Sequence, residues 1–185
     1  LHYLVVDLEA TCDDLDSVPR DESEIIEIGA VLVDGVTLEP LREFQTFVRP
    51  VVHSRLTPFC TRLTTITQAD VVRAPTFRFV APKLAAFGQG ALFCSWGAYD
   101  KNQLERDARR AGIRSPLGPR HLNLKEAFAR AAGEQRQPGN QTAMQRVGLT
   151  RSSEVTCGQG ATVAVIDTGV ACENHGEFTR IPDLA

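Results

Sequence analysis

The chain has 185 residues, of which 43% are hydrophobic, enough for one globular domain with a sizeable core. No run approaches the roughly 20 apolar residues of a membrane span and no secretory signal precedes Leu1, so we expect no membrane partner. Five cysteines, an odd number without any Cys-x-x-Cys, argue for reduced thiols in a cytoplasmic setting rather than a disulfide framework or a zinc site.

The net charge of −3 is unevenly distributed along the chain. Residues 1–34 contain ten acids and one base, whereas residues 101–151 contain four acids and eleven bases. An acidic region beside a basic one suits a metal centre next to a surface that contacts phosphates. The alternative is that many of these arginines only cover solvated helix faces.

Three strands are predicted at the N-terminus, over residues 3–9, 24–33 and 43–48, where β-branched and aromatic residues lie between turn formers. Asp34-Gly35 is typical of a hairpin, which predicts an antiparallel meander. The acidic stretch 12–22 is predicted to be a loop.

Helices and strands are predicted to alternate after Pro50. Thr76 is a good N-cap for a helix in which Pro82 should cause a kink or a later start. The order then predicts a five-stranded mixed sheet flanked by helices, a ribonuclease H-like α/β fold with an atypical C-terminal segment. The remaining predicted elements are short helical turns over 58–72, a buried strand over 91–96, a helix over 100–111 ended by Gly112, a strand over 121–124, a helix over 125–132 ended by Gly133, and a helix over 141–147.

Asp7 and Glu9 are the first candidate metal ligands. Residues two apart on a strand point to the same face, so these carboxylates should lie side by side at the end of an apolar strand. Burying two negative charges together is costly unless a cation joins them, and carboxylate oxygens suit Mg²⁺ or Mn²⁺. The alternative is a surface strand with alternating charge.

Asp100 supplies a third carboxylate just after the predicted strand 91–96. Ligands gather at strand ends in α/β sheets, although Asp100 could instead be a helix N-cap. Three such carboxylates can hold two metal ions about 4 Å apart, which stabilise the attacking and leaving oxygens of phosphoryl transfer.

These motifs resemble the DEDDh 3′–5′ exonucleases, in the branch with KapD-like bacterial proteins and histone-mRNA 3′-end exonucleases. The resemblance covers about residues 1–149, which we take as the exonuclease domain, with 150–185 as a separate C-terminal segment. It rests on Asp-x-Glu-x-Thr-Cys at 7–12, Glu-Ile-Ile-Glu-Ile-Gly at 24–29, Phe-Val-Arg-Pro at 47–50, Leu-Thr-Thr-Ile-Thr-Gln at 63–68 and Trp-Gly-Ala-Tyr-Asp at 96–100.

The resemblance implies roles for individual residues. Asp7 and Asp100 would bind metal, and Glu9 would bind metal and position the nucleophilic water. The alternatives are that Thr64 and Thr65 only cap a turn and that Trp96 belongs to the core. The expected nucleotide-binding residues are Leu8, Ala10 and Thr11 through their backbone, Leu63 and Thr64 as a wedge against the terminal nucleotide, and Asn102 near the phosphate path.

The C-terminal segment departs from the family. A general-base His followed after four residues by a metal-binding Asp is expected there, but the segment has only His175, with Arg180 five positions later and Asp183 eight positions later. Residues 158–183 instead resemble the block of subtilisin-like proteases that carries the catalytic Asp, here Asp167. Without the serine and histidine partners of a triad, proteolysis is excluded.

The sequence therefore predicts a two-metal 3′–5′ exonuclease that hydrolyses single-stranded RNA or DNA from the 3′ end, with impaired activity because the third motif is altered. His175 as base and Asp183 as ligand are the candidates that would complete the site. The alternative is a catalytically dead, nucleic-acid-binding pseudo-exonuclease. A subtilase remnant is the third possibility, and the short length of that segment argues against it.

Overall fold

The computed structural model describes residues 1–15, 17–133, 139 and 143. The predicted helix 141–147 apart from Ala143, and the whole segment 150–185, lie outside the described residues. Within the described part, no helix is long and apolar enough to cross a membrane.

Five strands form one mixed sheet in the order β3-β2-β1-β4-β5. The first three strands pair antiparallel, and β4 and β5 continue the sheet in parallel with β1. The predicted meander and the mixed α/β sheet are therefore confirmed. The strands are β1 (His2–Ala10), β2 (Ile25–Asp34), β3 (Pro40–Phe47), β4 (Leu92–Ser95) and β5 (His121–Asn123).

Within residues 1–133, five helices accompany this sheet, and most begin where the sequence predicts. Thr57 caps α1 by accepting the Cys60 N–H, and Thr76 is the N-cap of α3. Gly112 follows α4 with φ of 64°, a conformation that glycine adopts without strain. The helices are α1 (Pro58–Thr64), α2 (Gln68–Val72), α3 (Phe77–Phe87), α4 (Tyr99–Arg110) and α5 (Leu124–Ala131).

One sequence-based expectation needs correction. Pro82 does not delay α3, which begins at Phe77 and continues through the proline to Phe87, and the predicted kink stays a prediction. Because proline has no N–H, the helix lacks the bond from residue 82 to the Arg78 carbonyl. The hairpin at Asp34-Gly35 is confirmed: Asp34 Oδ1 accepts the Val36 and Thr37 N–H groups, and the Asp34 N–H donates to Glu39 O at 2.9 Å.

The main core lies between one face of the sheet and helices α3 and α4. Alternate residues of β1, namely Leu4, Val6 and Leu8, are at most 2% exposed and pack into it. A second, smaller cluster gathers Ile26 of β2 with residues of α1 and α2. Because the even positions of β1 fill the main core, the odd positions, including Asp7 and Glu9, face the other side.

Candidate active site at the end of the central strand

Asp7 and Glu9 lie on the same face of β1, as the alternation predicts. Glu9 is 7% exposed and Asp7 is half-buried. A β-bulge lies next to Glu9, since Glu9 pairs with Glu27 while Ala10 pairs with Ile25, leaving Ile26 as the extra residue. Bulges bend a strand and redirect its side chains. Asp7 and Glu9 therefore lie on the central strand β1, just before the point where its pairing with β2 becomes irregular.

Asp100 approaches β1 from the start of α4. Its side chain is 4% exposed; burial raises its pKa, and the neighbouring Leu8 N–H, its own N–H and the Ser95 hydroxyl partly offset that rise. Ala98 is the N-cap of α4, so Asp100 lies in the first turn and the N-cap alternative is wrong. Because Leu8 separates Asp7 from Glu9, its proximity to Asp100 brings the third carboxylate to the same stretch of β1.

The surroundings of Asp100 and Tyr99 at the start of α4 disfavour the negatively charged form of each side chain. Burial raises the pKa of Asp100 to about 6. Desolvation also raises the pKa of Tyr99 to about 12, and the charges of Asp100 and Glu9 add to that increase. A cation at this place would offset the cost of ionising the buried carboxyl group.

Glu27 is a fourth acid that the sequence reasoning did not assign to the site. It is 4% exposed, directly opposite Glu9 on β2, and accepts a hydrogen bond from Gln45 Nε2 at 2.7 Å. Burial raises its pKa. The motif Glu-Ile-Ile-Glu contains Glu27, but only the register of β1 on β2 shows that it faces Glu9.

The predicted nucleotide-binding positions on β1 are largely engaged within the protein. The Thr11 N–H donates to Glu24 O at 2.8 Å, and Thr11 Oγ1 accepts the Glu24 N–H at 2.9 Å. Leu8 and Ala10 have side chains that are 2% and 6% exposed, so any contact with a nucleotide would involve their backbone.

The predicted wedge is divided between an exposed and a buried residue. Leu63 is 56% exposed, whereas Thr64 is 1% exposed and its hydroxyl donates to Cys60 O at 2.9 Å. Thr65 follows with φ of 63°, in the left-handed region. Asn102 lies on the exposed side of α4, and Trp96 is half-buried with its ring 5.9 Å from that of Phe128.

His175, Asp183 and Asp167 lie outside the described residues, so their predicted roles remain predictions. Each of the three other histidines already contacts another side chain. His53 Nε2 lies 2.9 Å from Glu22, His2 is 3.7 Å from Asp34, and His121 contacts Ser95.

The donor set fits a hard divalent cation in chemistry, because Asp7, Glu9 and Asp100 offer only carboxylate oxygens. Within the described residues, no group of three or more His, Cys, Asp or Glu side chains is arranged to hold a metal ion. Carboxylates repel one another at short range, so their convergence on one point requires the cation itself.

Comparisons with known proteins agree with this description. A family model for exonucleases of the RNase T type matches residues 4–154. The human protein "ERI1 exoribonuclease 3" is 34% identical over 145 residues, covering 71% of this chain and 42% of that protein. The Schizosaccharomyces pombe "3'-5' exonuclease eri1" is 37% identical over 86 residues, 46% of this chain and 29% of that protein. The chain thus spans less than half the length of these relatives.

Solved structures show the same fold. The nuclease domain of 3'hExo, a DEDDh family member bound to rAMP, aligns with a TM-score of 0.71 and 27% identity, covering 80% of this chain and 78% of that one. A 3'-exonuclease in 3'-end specific recognition of the histone mRNA stem-loop aligns with a TM-score of 0.73 and 28% identity, covering 80% and 54%. With its ribonuclease H-like sheet and its ordered motifs, this chain belongs to the DEDDh 3′–5′ exonuclease family.

Proposed function

We propose that this chain is a 3′–5′ exonuclease that hydrolyses single-stranded RNA or DNA from the 3′ end and releases nucleoside monophosphates. The observation that supports the proposal is the position of Asp100, a buried acid in the first turn of α4, which lies near Leu8 of the strand that carries Asp7 and Glu9. The exoribonuclease names of several relatives favour RNA as the substrate.

Two Mg²⁺ or Mn²⁺ ions, when bound, supply a nucleophile from water and stabilise the leaving oxygen. Asp7 and Asp100 would hold them, and Glu9 would bind one ion and orient the attacking water. Glu27, opposite Glu9, adds negative charge to the same face without being needed as a ligand. Burial of these acids keeps bulk water away and strengthens their attraction for a cation.

The substrate would reach the acids past two exposed apolar side chains. Leu63 at the end of α1 is 56% exposed and Tyr99 at the start of α4 is 51% exposed. Bases stack on aromatic and apolar surfaces with little dependence on sequence. Asn102 and the exposed arginines of the basic region, Arg109, Arg114 and Arg120, would contact phosphates.

The division of the chain is also part of the proposal. Residues 1–149 would form the exonuclease domain, and 150–185 an atypical segment. Because the family's His-x4-Asp motif is absent in its usual form, we expect weak activity or none unless His175 and Asp183 supply the base and the last ligand. General-base catalysis contributes typically 10²–10⁴-fold, which is the size of the expected deficit.

A time course with a 5′-labelled single-stranded oligonucleotide and manganese tests the activity. Slow successive shortening from the 3′ end would support the exonuclease; it should be lost in Asp7→Asn and kept in Asp14→Asn, which changes an exposed acid of the neighbouring loop. A strand with a blocked 3′ hydroxyl should resist degradation, and equal degradation would argue against an exonuclease pocket. Loss of shortening in His175→Ala would identify His175 as the base.

The second candidate function is nucleic-acid binding without catalysis. It is favoured by the departure of the C-terminal segment from the family's His-x4-Asp motif. Calorimetry with manganese and binding assays at several salt concentrations separate the two. Salt-dependent binding of single strands without any shortening would establish the pseudo-exonuclease, since phosphate contacts weaken as salt rises.

A further inference from the structure

A single hydroxyl group, that of Thr57, joins helix α1 to the end of strand β1. Thr57 Oγ1 donates to Cys12 O at 2.7 Å and accepts the Cys60 N–H at 2.9 Å. A hydroxyl has one proton, a carbonyl oxygen can only accept and an amide N–H can only donate, so both roles are fixed. The partners Thr57 and Cys12 are 45 residues apart in sequence, and Cys12 follows closely after Glu9. The hydroxyl therefore ties α1 to the strand that carries the proposed metal ligands.

The local sequence sets the direction of this hydroxyl. Pro58 occupies the first turn of α1, and the residue before a proline is restricted to extended backbone. Thr57 has φ of −72° and ψ of 156°, as this restriction requires. Threonine is β-branched, so its χ1 angle has few favourable values. Because backbone and side chain are both restricted, the hydroxyl is held ready for its two partners.

Cys60, one turn into α1, makes a second contact with the same end of β1. Its thiol lies 3.7 Å from Ala10 O, and its side chain is buried. Residues three apart are neighbours on a helix surface, so Leu63 lies one turn further along from Cys60. Leu63 is exposed, whereas Thr64 next to it is buried. The contact between α1 and β1 therefore determines where the exposed Leu63 stands.

We propose that Thr57 is a positioning residue that sets the place of Leu63 relative to Glu9, and thereby the affinity for the 3′-terminal nucleotide. The inference rests on the proposed function, in which Leu63 contacts that nucleotide and Glu9 binds metal. Helix α1 has only seven residues, so a shift at its N-cap moves Leu63 with it. Thr57 itself touches neither the nucleotide nor the metal.

Other contacts hold the segment before α1, so the expected effect is moderate. The Glu24 carboxylate accepts three backbone N–H groups of the preceding loop, each at 2.8 Å, from Val51, Val52 and His53. With these bonds in place, loss of the Thr57 hydroxyl should shift α1 rather than release it. The net value of one hydrogen bond corresponds to roughly two- to tenfold in a binding constant.

Two substitutions of Thr57 separate the hydroxyl from its packing. Thr57→Ser keeps the hydroxyl, whereas Thr57→Val keeps the shape and loses the hydroxyl. For Thr57→Val, the Kd of adenosine monophosphate, measured by calorimetry with manganese present, should rise about fivefold. Thr57→Ser should stay within about twofold of the unaltered protein. The affinity for manganese alone should be unchanged in both variants, because neither alters a proposed metal ligand. Equal impairment of both variants would assign the effect to packing and overturn the proposal.

A double-mutant cycle tests whether Thr57 acts through Leu63. Leu63→Ala should raise the Kd of adenosine monophosphate at least fivefold, as for loss of a base-stacking side chain. Adding Thr57→Val should then raise it less than about twofold further, because the displaced side chain is already absent. A purely structural role would give additive losses, which would overturn the proposal. No loss in Leu63→Ala, whose exposed side chain the fold does not need, would overturn it as well.

The control is loss of another helix cap. Asn123 is the N-cap of α5 and accepts the Glu126 N–H, so Asn123→Ala removes a comparable cap away from α1. It should leave the Kd of adenosine monophosphate unchanged. Thermal destabilisation of Thr57→Val far beyond that of Asn123→Ala would show a structural role alone and overturn the proposal. If the unaltered protein binds neither manganese nor adenosine monophosphate, the proposed function itself fails. If it binds both and Thr57→Val binds the nucleotide equally well, only this inference fails.

Discussion

The two ends of α4 each bury an acid, and the two acids are neutralised differently. Asp100 and Asp107 lie two turns apart and are each 4% exposed. Asp107 accepts from Ile25 N at 3.1 Å, Gln103 Nε2 at 2.9 Å and the Arg110 guanidinium at 2.6 Å. Burial raises the pKa of Asp100, and the groups that partly offset this rise are two backbone N–H groups and the Ser95 hydroxyl, all neutral.

This difference separates a structural acid from one proposed to bind metal. Asp107 has a cation built into its own helix, and Arg110 also donates to Ser23 O and Asp21 O, so the group joins α4 to the loop before β2. The neighbours that offset the burial of Asp100 are neutral, which leaves its negative charge available to the proposed metal. Burial is the main reason that the pKa of each acid is raised, so burial does not distinguish the two. The difference is the Arg110 guanidinium, which pairs with Asp107.

The largest expected effect is on catalysis at the Asp100 end. Asp100→Asn should lower the rate of 3′-end shortening about 10³-fold, because a lost metal ligand removes several kcal/mol of transition-state stabilisation. Glu105→Gln is the matched control on the exposed side of the same helix and should leave the rate within twofold. An unchanged rate in Asp100→Asn would remove Asp100 from the site.

The next largest effect is a loss of folding stability at the C-terminal end of α4, where Asp107 lies. Asp107→Ala should lower the free energy of unfolding by about 3 kcal/mol, since it leaves the Ile25 N–H and Arg110 without their acceptor. Urea denaturation followed by circular dichroism measures the change. Glu105→Ala, which removes only the exposed pair with Lys101 at 4.0 Å, should cost less than about 1 kcal/mol. Equal losses in the two variants would contradict the comparison.

The third prediction is a gain in stability, not a loss, when the Asp100 charge is removed. With divalent ions chelated, Asp100→Asn should raise the free energy of unfolding by about 3 kcal/mol at pH 7, because each pKa unit is worth about 1.4 kcal/mol. The pKa of this carboxyl rises from 3.8 to about 6 on folding, so the neutral form stabilises the fold below pH 4 and that contribution is lost as the pH rises through 6. The advantage of the variant should therefore vanish below pH 4, and a pH-independent difference would contradict the assignment.

Local patterns were sufficient for most of the fold. Alternation in β1 and the Thr76 cap are properties of short segments, and the structure confirms the strand and the helix built on them. The placement of Asp7 and Glu9 on one face of β1 was predictable from the same alternation. It was not predictable where long-range register decides, since nothing local indicates that Glu27 faces Glu9 or that His121 reaches Ser95.

Helix α1 offers a smaller comparison between two threonines, one at its C-terminus and one in its regular part. Thr65, beside the exposed Leu63, has φ of 63°, whereas Thr61 lies in the regular part of the same helix. A β-branched residue in the left-handed region costs roughly 1–2 kcal/mol, and glycine adopts that conformation without the penalty. Thr65→Gly should therefore raise the free energy of unfolding by about 1 kcal/mol, once the entropy that glycine adds to the unfolded chain is subtracted from the relieved strain.

Thr61→Gly is the matched control. It should lower the free energy of unfolding by a similar amount, because glycine weakens a helix interior. Thermal unfolding of the two variants measures both changes, and destabilisation by Thr65→Gly would show that the Thr65 Oγ1 contact with Thr64 O at 2.6 Å outweighs the backbone strain.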